Sequence, residues 1–249
     1  MEKNWRQIEG KNPVLEALKA SSTISKIFMQ EGLGSDERIS EIQKLARKKK
    51  IPIIKKGWKN INRLSVTQSH QGIIAYATPI IFSSLAWILE KCQKSDKDPL
   101  VLILPEVLYE YNLGAIIRTC EGAGIDCLLL NRRNRLGAGV SRSSMGAVEY
   151  LPLVQENLFA SLNLLKKSGV KIVAALEEAE TNYFDADLTG PLALVVGSEH
   201  KGISDKLLSG VDQTLKIPMK GKIQSLNMSV AAAIILYEIL RQRRVKNKG

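Results

Sequence analysis

The 249-residue sequence predicts an α/β protein with a parallel sheet, divided into a small front part and a larger rear part. Three observations carry that expectation. From residue 99 onward, strands apolar at every position (Leu100–Leu104, Cys127–Leu130, Ile172–Leu176 and Leu192–Val196) alternate with helical patterns. Strands buried on both faces of a parallel sheet read this way. Ahead of them lies a shorter run of strands and helices that ends near Thr78-Pro79. Charge divides along a similar line: of a net +11, residues 1–98 hold +8 (18 basic, 10 acidic). The expected organisation is therefore a small α/β unit over 1–79, a linker with a short helix over 80–98, and a parallel α/β unit over 99–249.

In chain order, Pro13 sits where a first helical turn accepts proline, and Val14, Leu15 and Leu18 follow at helical spacing. Ser25–Gln30 reads as a strand. A helix from Ser35 to Lys49 sets Ile39, Ile42, Leu45 and Ala46 on one side, with bases at the end where cations are favoured. Ile51–Ile54 and Gly72–Ala77 are further strands around a one-turn helix, Asn60–Leu64. The linker carries a helix over Leu85–Gln93, capped by Ser83 or Ser84. Later helices fall at Leu113–Ala123, Phe159–Lys167 and Ser204–Ser209. Ile217, Pro218 and Met219 close a strand, Lys220-Gly221-Lys222 turn, and Ser225 or Asn227 caps a helix from Met228 to Leu240. That helix is apolar almost all the way round and is expected to be buried on most sides.

Composition narrows the function. Hydrophobic residues make up 45% of the chain, which excludes a disordered polymer. No apolar run approaches a membrane span, and MEKNWRQIEGKN does not read as a signal peptide. Cys92, Cys120 and Cys127 show no pairing or metal-ligand spacing, so neither disulfides nor a metal site is expected, and a reducing cytoplasm fits. Between Ile42 and Leu89 there is no acidic residue, while Lys44, Arg47, Lys48, Lys49, Lys50, Lys55, Lys56, Lys59 and Arg63 lie there. Such a block suits a polyanion such as RNA or DNA; a solvated helix face is the alternative.

Three stretches carry candidate chemistry. In NLGAIIRTCEGAG, Asn112 and Arg118 can share one pocket if Asn112 stands in the turn before the helix. Arg118 sits in an otherwise apolar helix, where a buried guanidinium needs a partner. In LVVGSEHKGIS, a buried strand runs into Gly197, Glu199 and Gly202, a ligand-binding position in open α/β sheets. The third is IPMKGKIQSLNMSVAAAIILYE, whose polar turn lies at the mouth of the last helix.

In this order and spacing the three stretches resemble the motifs of the TrmH (SpoU) family of SPOUT methyltransferases. IEGKNPVLEAL and SHQGIIA resemble the substrate-binding domain of the branch that methylates a guanosine of 23S rRNA. The resemblance implies a deep trefoil knot, a front domain like ribosomal protein L30e, a homodimer, S-adenosylmethionine as donor, and ribose 2′-O-methylation of RNA. It places the donor against Val196, Gly197, Ile217, Met219 and Leu226. It makes Arg118, Asn112, Glu199, Ser225 and Asn227 the active-site residues. The family reads Asp-Pro-x-Asn where this chain has Tyr109-Glu110-Tyr111-Asn112. Arg stays protonated in proteins, so the expected role of Arg118 is to stabilise a developing alkoxide. The Arg/Gly-rich loop Arg132–Arg142 is composed to grip phosphate or to be an exposed loop. Methylation of another RNA, such as tRNA, a resistance-type ribosome methylase, and a non-catalytic RNA binder remain the competing readings.

Overall fold

The computed structural model describes residues 5–132, 134, 136–198, 201–223 and 225–246. The chain forms two compact units, and neither is contiguous in sequence. The first is Met1–Ile81 with Tyr109–Arg118 and Arg135–Tyr150; the second is Phe82–Leu108, Thr119–Asn134 and Leu151–Gly249.

In the first unit the order is β1 (Arg6–Glu9), α1 (Lys11–Lys19), β2 (Ile24–Gln30), α2 (Glu37–Lys48), β3 (Ile53–Lys56), α3 (Trp58–Leu64) and β4 (Ile73–Ala77). The sheet runs β1-β4-β2-β3, with β4 antiparallel to both its neighbours and β3 parallel to β2. One face is packed by α1 and α2: Val14, Leu18, Ile39 and Ile42 meet Ile8, Ile27, Met29 and Ile73. The other face carries only a small cluster, in which Ile61 of α3 meets Phe28 and Ile74. Asp36 starts α2 by accepting from the Ile39 N–H at 2.8 Å, one of the orphan donors at a helix start.

Next come α4 (Leu85–Lys94), β5 (Leu100–Leu104), α5 (Glu110–Ala123), β6 (Cys127–Asn131) and α6 (Ala138–Ser143). After them follow β7 (Leu153–Glu156), α7 (Leu158–Lys167), β8 (Lys171–Ala175), β9 (Leu192–Val196), α8 (Asp205–Leu208), β10 (Gln213–Leu215) and α9 (Met228–Lys246). The second sheet is six-stranded in the order β10-β8-β9-β5-β6-β7, and every pairing is parallel. All five positions of β5 and of β9 are buried, as the unbroken apolar runs anticipate. On one face, α4 and α7 bury Ile88, Leu162 and Leu165 against Val101, Ile103, Leu129 and Val195.

Several elements differ from the sequence expectation. β1 is additional: RQIE is too polar for a pattern reading, and it is held by pairing with β4. β3 lies two residues later than Ile51–Ile54. β7 and β10 are also additional, and the last strand ends at Leu215, ahead of Ile217–Met219. The expected Arg132–Arg142 loop contains a helix in its second half, because Val140 is buried. Arg142 is tied down as well, donating from Nε to the Ser69 carbonyl at 3.0 Å.

α9 buries one stripe, Met228, Ala232, Ile235, Leu236 and Ile239, so within one chain it is not covered on most sides. Val230 and Tyr237 are 45% and 54% exposed.

Candidate functional site

The C-terminal ends of β8 and β9, the segment after β10 and the start of α9 enclose a cavity of about 680 Å³. Its walls include Val196, Gly197, Ile217, Met219, Ser225, Leu226 and Asn227. All five residues expected on a donor are there, with two of the five expected for catalysis. Carboxyl ends of parallel strands are where open α/β sheets bind ligands, and the volume is that of a small-molecule site.

The turn after β9 explains why glycine stands at 197. Ser198 and Gly202 exchange backbone hydrogen bonds at 3.1 and 2.9 Å, and Ser198 Oγ accepts from the Lys201 N–H at 3.2 Å. A Cβ on Gly197 would lie 2.7 Å from the Gly202 carbonyl carbon and 2.9 Å from Ile203. The missing side chain lets the turn close tightly, and Gly197 lines the cavity. Glu199 and His200 lie outside the described residues.

At the mouth of α9, Asn227 Oδ1 accepts from Ser229 N–H at 2.9 Å and from Ser229 Oγ at 2.6 Å. This is a helix cap, so the sequence reading of Asn227 as a cap holds while the residue also lines the cavity. Ser225 lines it too and is exposed. Among the wall residues that escaped the sequence reading, two are charged: Glu177 and Glu178, just past β8. The signal available was their place at the end of a buried strand. Apolar wall from Leu176, Val196, Leu215, Ile217 and Leu226 with a few carboxylate, hydroxyl and amide groups suits a flat heterocycle carrying a polar, cationic tail.

Asn112 and Arg118 belong to the first unit. α5 begins at Glu110, so Asn112 is inside its first turn and not ahead of the helix. Six residues at 100° each place Asn112 and Arg118 about 120° apart around one helix. Arg118 is exposed, which corrects the expectation of a buried guanidinium in need of a partner: the apolar residues of α5 (Leu113, Ile116, Ile117 and Cys120) are buried on other sides.

Glu110 has a defined job. Its Oε2 accepts the Gly139 N–H at 2.9 Å, at the start of α6. A Cβ on Gly137 or Gly139 would overlap this carboxylate, and one on Gly114 would overlap Ser143. Ser143 Oγ donates to the Gly139 carbonyl at 2.7 Å. The residue that replaces the family's proline thus fastens the Arg/Gly-rich loop to the helix of Asn112. A buried ion pair, Arg6–Glu149 at 2.8 Å, holds β1 to the turn after α6, and Ser22 Oγ donates to the same carboxylate at 2.7 Å.

The basic block between Ile42 and Leu89 is not one patch. Lys49 Nζ is turned onto the Leu18 carbonyl. Lys55 lies beside Met29 on the helix-covered side of the sheet, and Lys56 is over Phe28 on the opposite side. Burial pushes the Cys120 and Cys127 thiols up, out of the range where a thiol is nucleophilic. Among the described residues no three His, Cys, Asp or Glu side chains group as metal ligands, and no helix is long and apolar enough to cross a membrane.

Comparison with known proteins bears on this site. Residues 99–237 match the family model described as the SpoU rRNA Methylase family, and residues 7–82 match that of RNA 2′-O ribose methyltransferase substrate binding. The chain is 33% identical over 237 residues to a putative TrmH family tRNA/rRNA methyltransferase, YacO, of Bacillus subtilis, covering 94% of each. A crystal structure of an RNA 2′-O ribose methyltransferase superposes with TM-score 0.80 at 28% identity, over 98% of this chain and 90% of that one. The SpoU methyltransferase AviRb from Streptomyces viridochromogenes, solved in complex with AdoMet, shares the fold with TM-score 0.81 at 23% identity, over 97% and 91%.

Proposed function

Because this chain belongs to the SpoU rRNA methylase family, we propose that it methylates the ribose 2′-oxygen of a guanosine in 23S rRNA, with S-adenosylmethionine as donor, as a cytoplasmic homodimer. The observation that carries the reading is the cavity at the sheet's carboxyl edge, walled by all five residues expected against the donor. The chain's length agrees as well. A front unit matching a substrate-binding model accompanies the catalytic one, and a structured rRNA target gives such a unit a purpose. Knotted threading of the second unit and an L30e-like front unit belong to the same proposal.

The donor fits the residues present. Gly197 lines the cavity in a tight turn, the apolar wall suits adenine, and Glu177 and Glu178 suit a cationic group. When bound, S-adenosylmethionine supplies an electrophilic methyl carbon. The chain's own residues do the rest. Val196, Ile217, Met219 and Leu226 exclude water and hold the donor flat. Arg118, exposed and therefore free to meet RNA, stabilises the negative charge that develops on the ribose oxygen as its proton passes, by way of an RNA phosphate, to water. Asn112, Ser225, Asn227 and Glu199 orient the ribose and the guanidinium. Alignment of nucleophile and methyl group supplies much of the rate through proximity.

The homodimer is supported by α9, where Val230 and Tyr237 stand exposed beside half-open Ala233 and Ile234. Apolar surface of that kind on a helix is covered in an assembly. Two measurements test the reading. Calorimetry should show S-adenosylmethionine and S-adenosylhomocysteine binding without added metal. Mapping of ribose methylation in rRNA from cells with and without the gene should show one guanosine lost. Absence of donor binding in folded protein removes the enzyme, whereas an altered tRNA position instead of an rRNA one reassigns the substrate.

A further inference from the structure

Away from α1 and α2, the small sheet is covered only by the short helix α3. Strand alternation puts Lys26 and Phe28 of β2, Ile54 and Lys56 of β3, and Ile74 and Tyr76 of β4 on the side away from α1 and α2. The pairing agrees, since Phe28 lies between Ile54 and Ile74, and Lys26 pairs with Tyr76. Ile61 of α3 packs against both Phe28 and Ile74, with Leu64 and Tyr76 at the margin of that cluster, while Ile54 on the same side is 39% exposed. Phe28 and Tyr76 meet edge to face, ring centres 6.0 Å apart. Lys26 Nζ lies 5.4 Å from the Phe28 ring and 5.5 Å from that of Tyr76, and Lys56 Nζ lies 5.1 Å from Phe28.

Two ammonium groups therefore converge over one ring, and among the described residues the only carboxylate of the sheet on that side is Glu9. Glu9 is fully buried and already spent on Ser65, Val66 and Thr67. Glu31, just past β2, places its carboxylate beside Gly57. Gathering like charges without a counter-charge is unfavourable in the free protein and becomes favourable when an anion sits between them. Two residues after Lys56, Trp58 opens α3 with 56% of its surface exposed. Cations beside an open aromatic side chain make the surface on which unpaired nucleic acid docks.

We propose that the rim of this face, where Lys26 and Lys56 meet over Phe28, binds an unpaired stretch of the substrate RNA, with a phosphate between Lys26 and Lys56 and a base stacked on Trp58. The proposal rests on the RNA reading above and names the face that performs it. It separates Lys26 and Lys56 from Lys44 and Lys48 of α2, which stand on the covered side.

The test uses the full chain and a fluorescein-labelled RNA hairpin with an unpaired loop. Lys26→Ala with Lys56→Ala should flatten the slope of log affinity against log salt by roughly 0.7–0.9, the value for one phosphate no longer neutralised. Trp58→Ala should weaken binding roughly 5- to 100-fold, the loss of one stacked base, and Trp58→Phe should restore most of it. Lys44→Ala with Lys48→Ala should change the slope less. S-adenosylmethionine affinity, measured on each variant, should stay at the wild-type value. Wild-type RNA affinity and slope in both Lys26/Lys56 and Trp58 variants would overturn the proposal and leave the methyltransferase reading standing. Equal effects with single-stranded DNA and RNA would overturn the assignment to RNA. A wild-type protein that binds the donor but no RNA at all overturns both readings.

Discussion

The Glu110 carboxylate accepts the Gly139 N–H at 2.9 Å and fills the space that a Cβ on Gly137 would need. Charge and shape are coupled in that contact: a carboxylate favours the start of a helix, and only glycines leave room for it. The first turn of α5 and the start of α6 are thereby one unit, with Ser143 pressed against Gly114.

Gly137→Ala should therefore cost about 1–3 kcal/mol through overpacking, measured by urea unfolding. Glu110→Ala should cost about 1–3 kcal/mol by leaving the Gly139 N–H without its acceptor. In the double variant the added methyl enters the space the carboxylate vacated, so the two effects should not add. A coupling of about 0.5–3 kcal/mol is expected between contacting residues. Strict additivity would show that the contact carries no energy.

Gly197→Ala tests the cavity. The new methyl would stand 2.7 Å from the Gly202 carbonyl carbon, inside the paired turn of Ser198 and Gly202. Backbone cannot yield cheaply, so the turn has to open into the donor's space. Calorimetry should show S-adenosylmethionine affinity reduced at least about tenfold, equivalent to about 1.4 kcal/mol. Unchanged affinity would place the donor elsewhere.

Glu9 sets part of the acid limit of the first unit. Burial raises its pKa, but hydrogen bonds from Ser65, Thr67, Val66 and Gln7 together outweigh it, and the carboxyl lies below its ordinary value. A folded pKa below the unfolded one contributes stability above the unfolded value and loses it as pH falls through the folded one. Unfolding free energy should thus decline below about pH 4, the ordinary carboxylate range. Glu9→Gln should lower stability at neutral pH by about 2–3 kcal/mol and flatten the decline. An acid limb as steep in Glu9→Gln as in wild type would assign the effect to other carboxylates.

How much of this was legible in the sequence follows from what each residue depends on. The buried strands of the second sheet were readable because being covered on both faces leaves no polar position in Leu100–Leu104 or Leu192–Val196. Val196 and Gly197 were readable at the end of one such strand, whereas Ile217, Met219 and Leu226 came from the resemblance of their stretch to a family motif. β1 was not, since RQIE becomes a strand only through pairing with β4, far along the chain at Ile74–Ala77. Nor was the exposure of Arg118: an apolar neighbourhood in sequence does not say which side of a helix is covered. Glu110 looked like a mere departure from a motif, because its partners Gly137 and Gly139 lie beyond the next strand.

The exposure of Arg118 sharpens the test of catalysis. Had the guanidinium been half of a buried ion pair, its removal would have stranded a carboxylate and lowered stability first. An exposed arginine away from special backbone or packing features changes stability by no more than about 0.5 kcal/mol when truncated. Arg118→Ala should therefore melt like the wild type and bind S-adenosylmethionine normally. If the guanidinium stabilises charge on the ribose oxygen, its loss removes roughly 3–4 kcal/mol of transition-state stabilisation, about 10²–10³ in rate. Arg118→Lys keeps a charge but not the planar fork, so it should recover only a small part. Because a phosphate contact alone would raise KM for RNA and spare kcat, the two constants must be measured separately. A fall confined to kcat assigns Arg118 to the reacting oxygen; a change confined to KM assigns it to RNA grip and removes it from the chemistry.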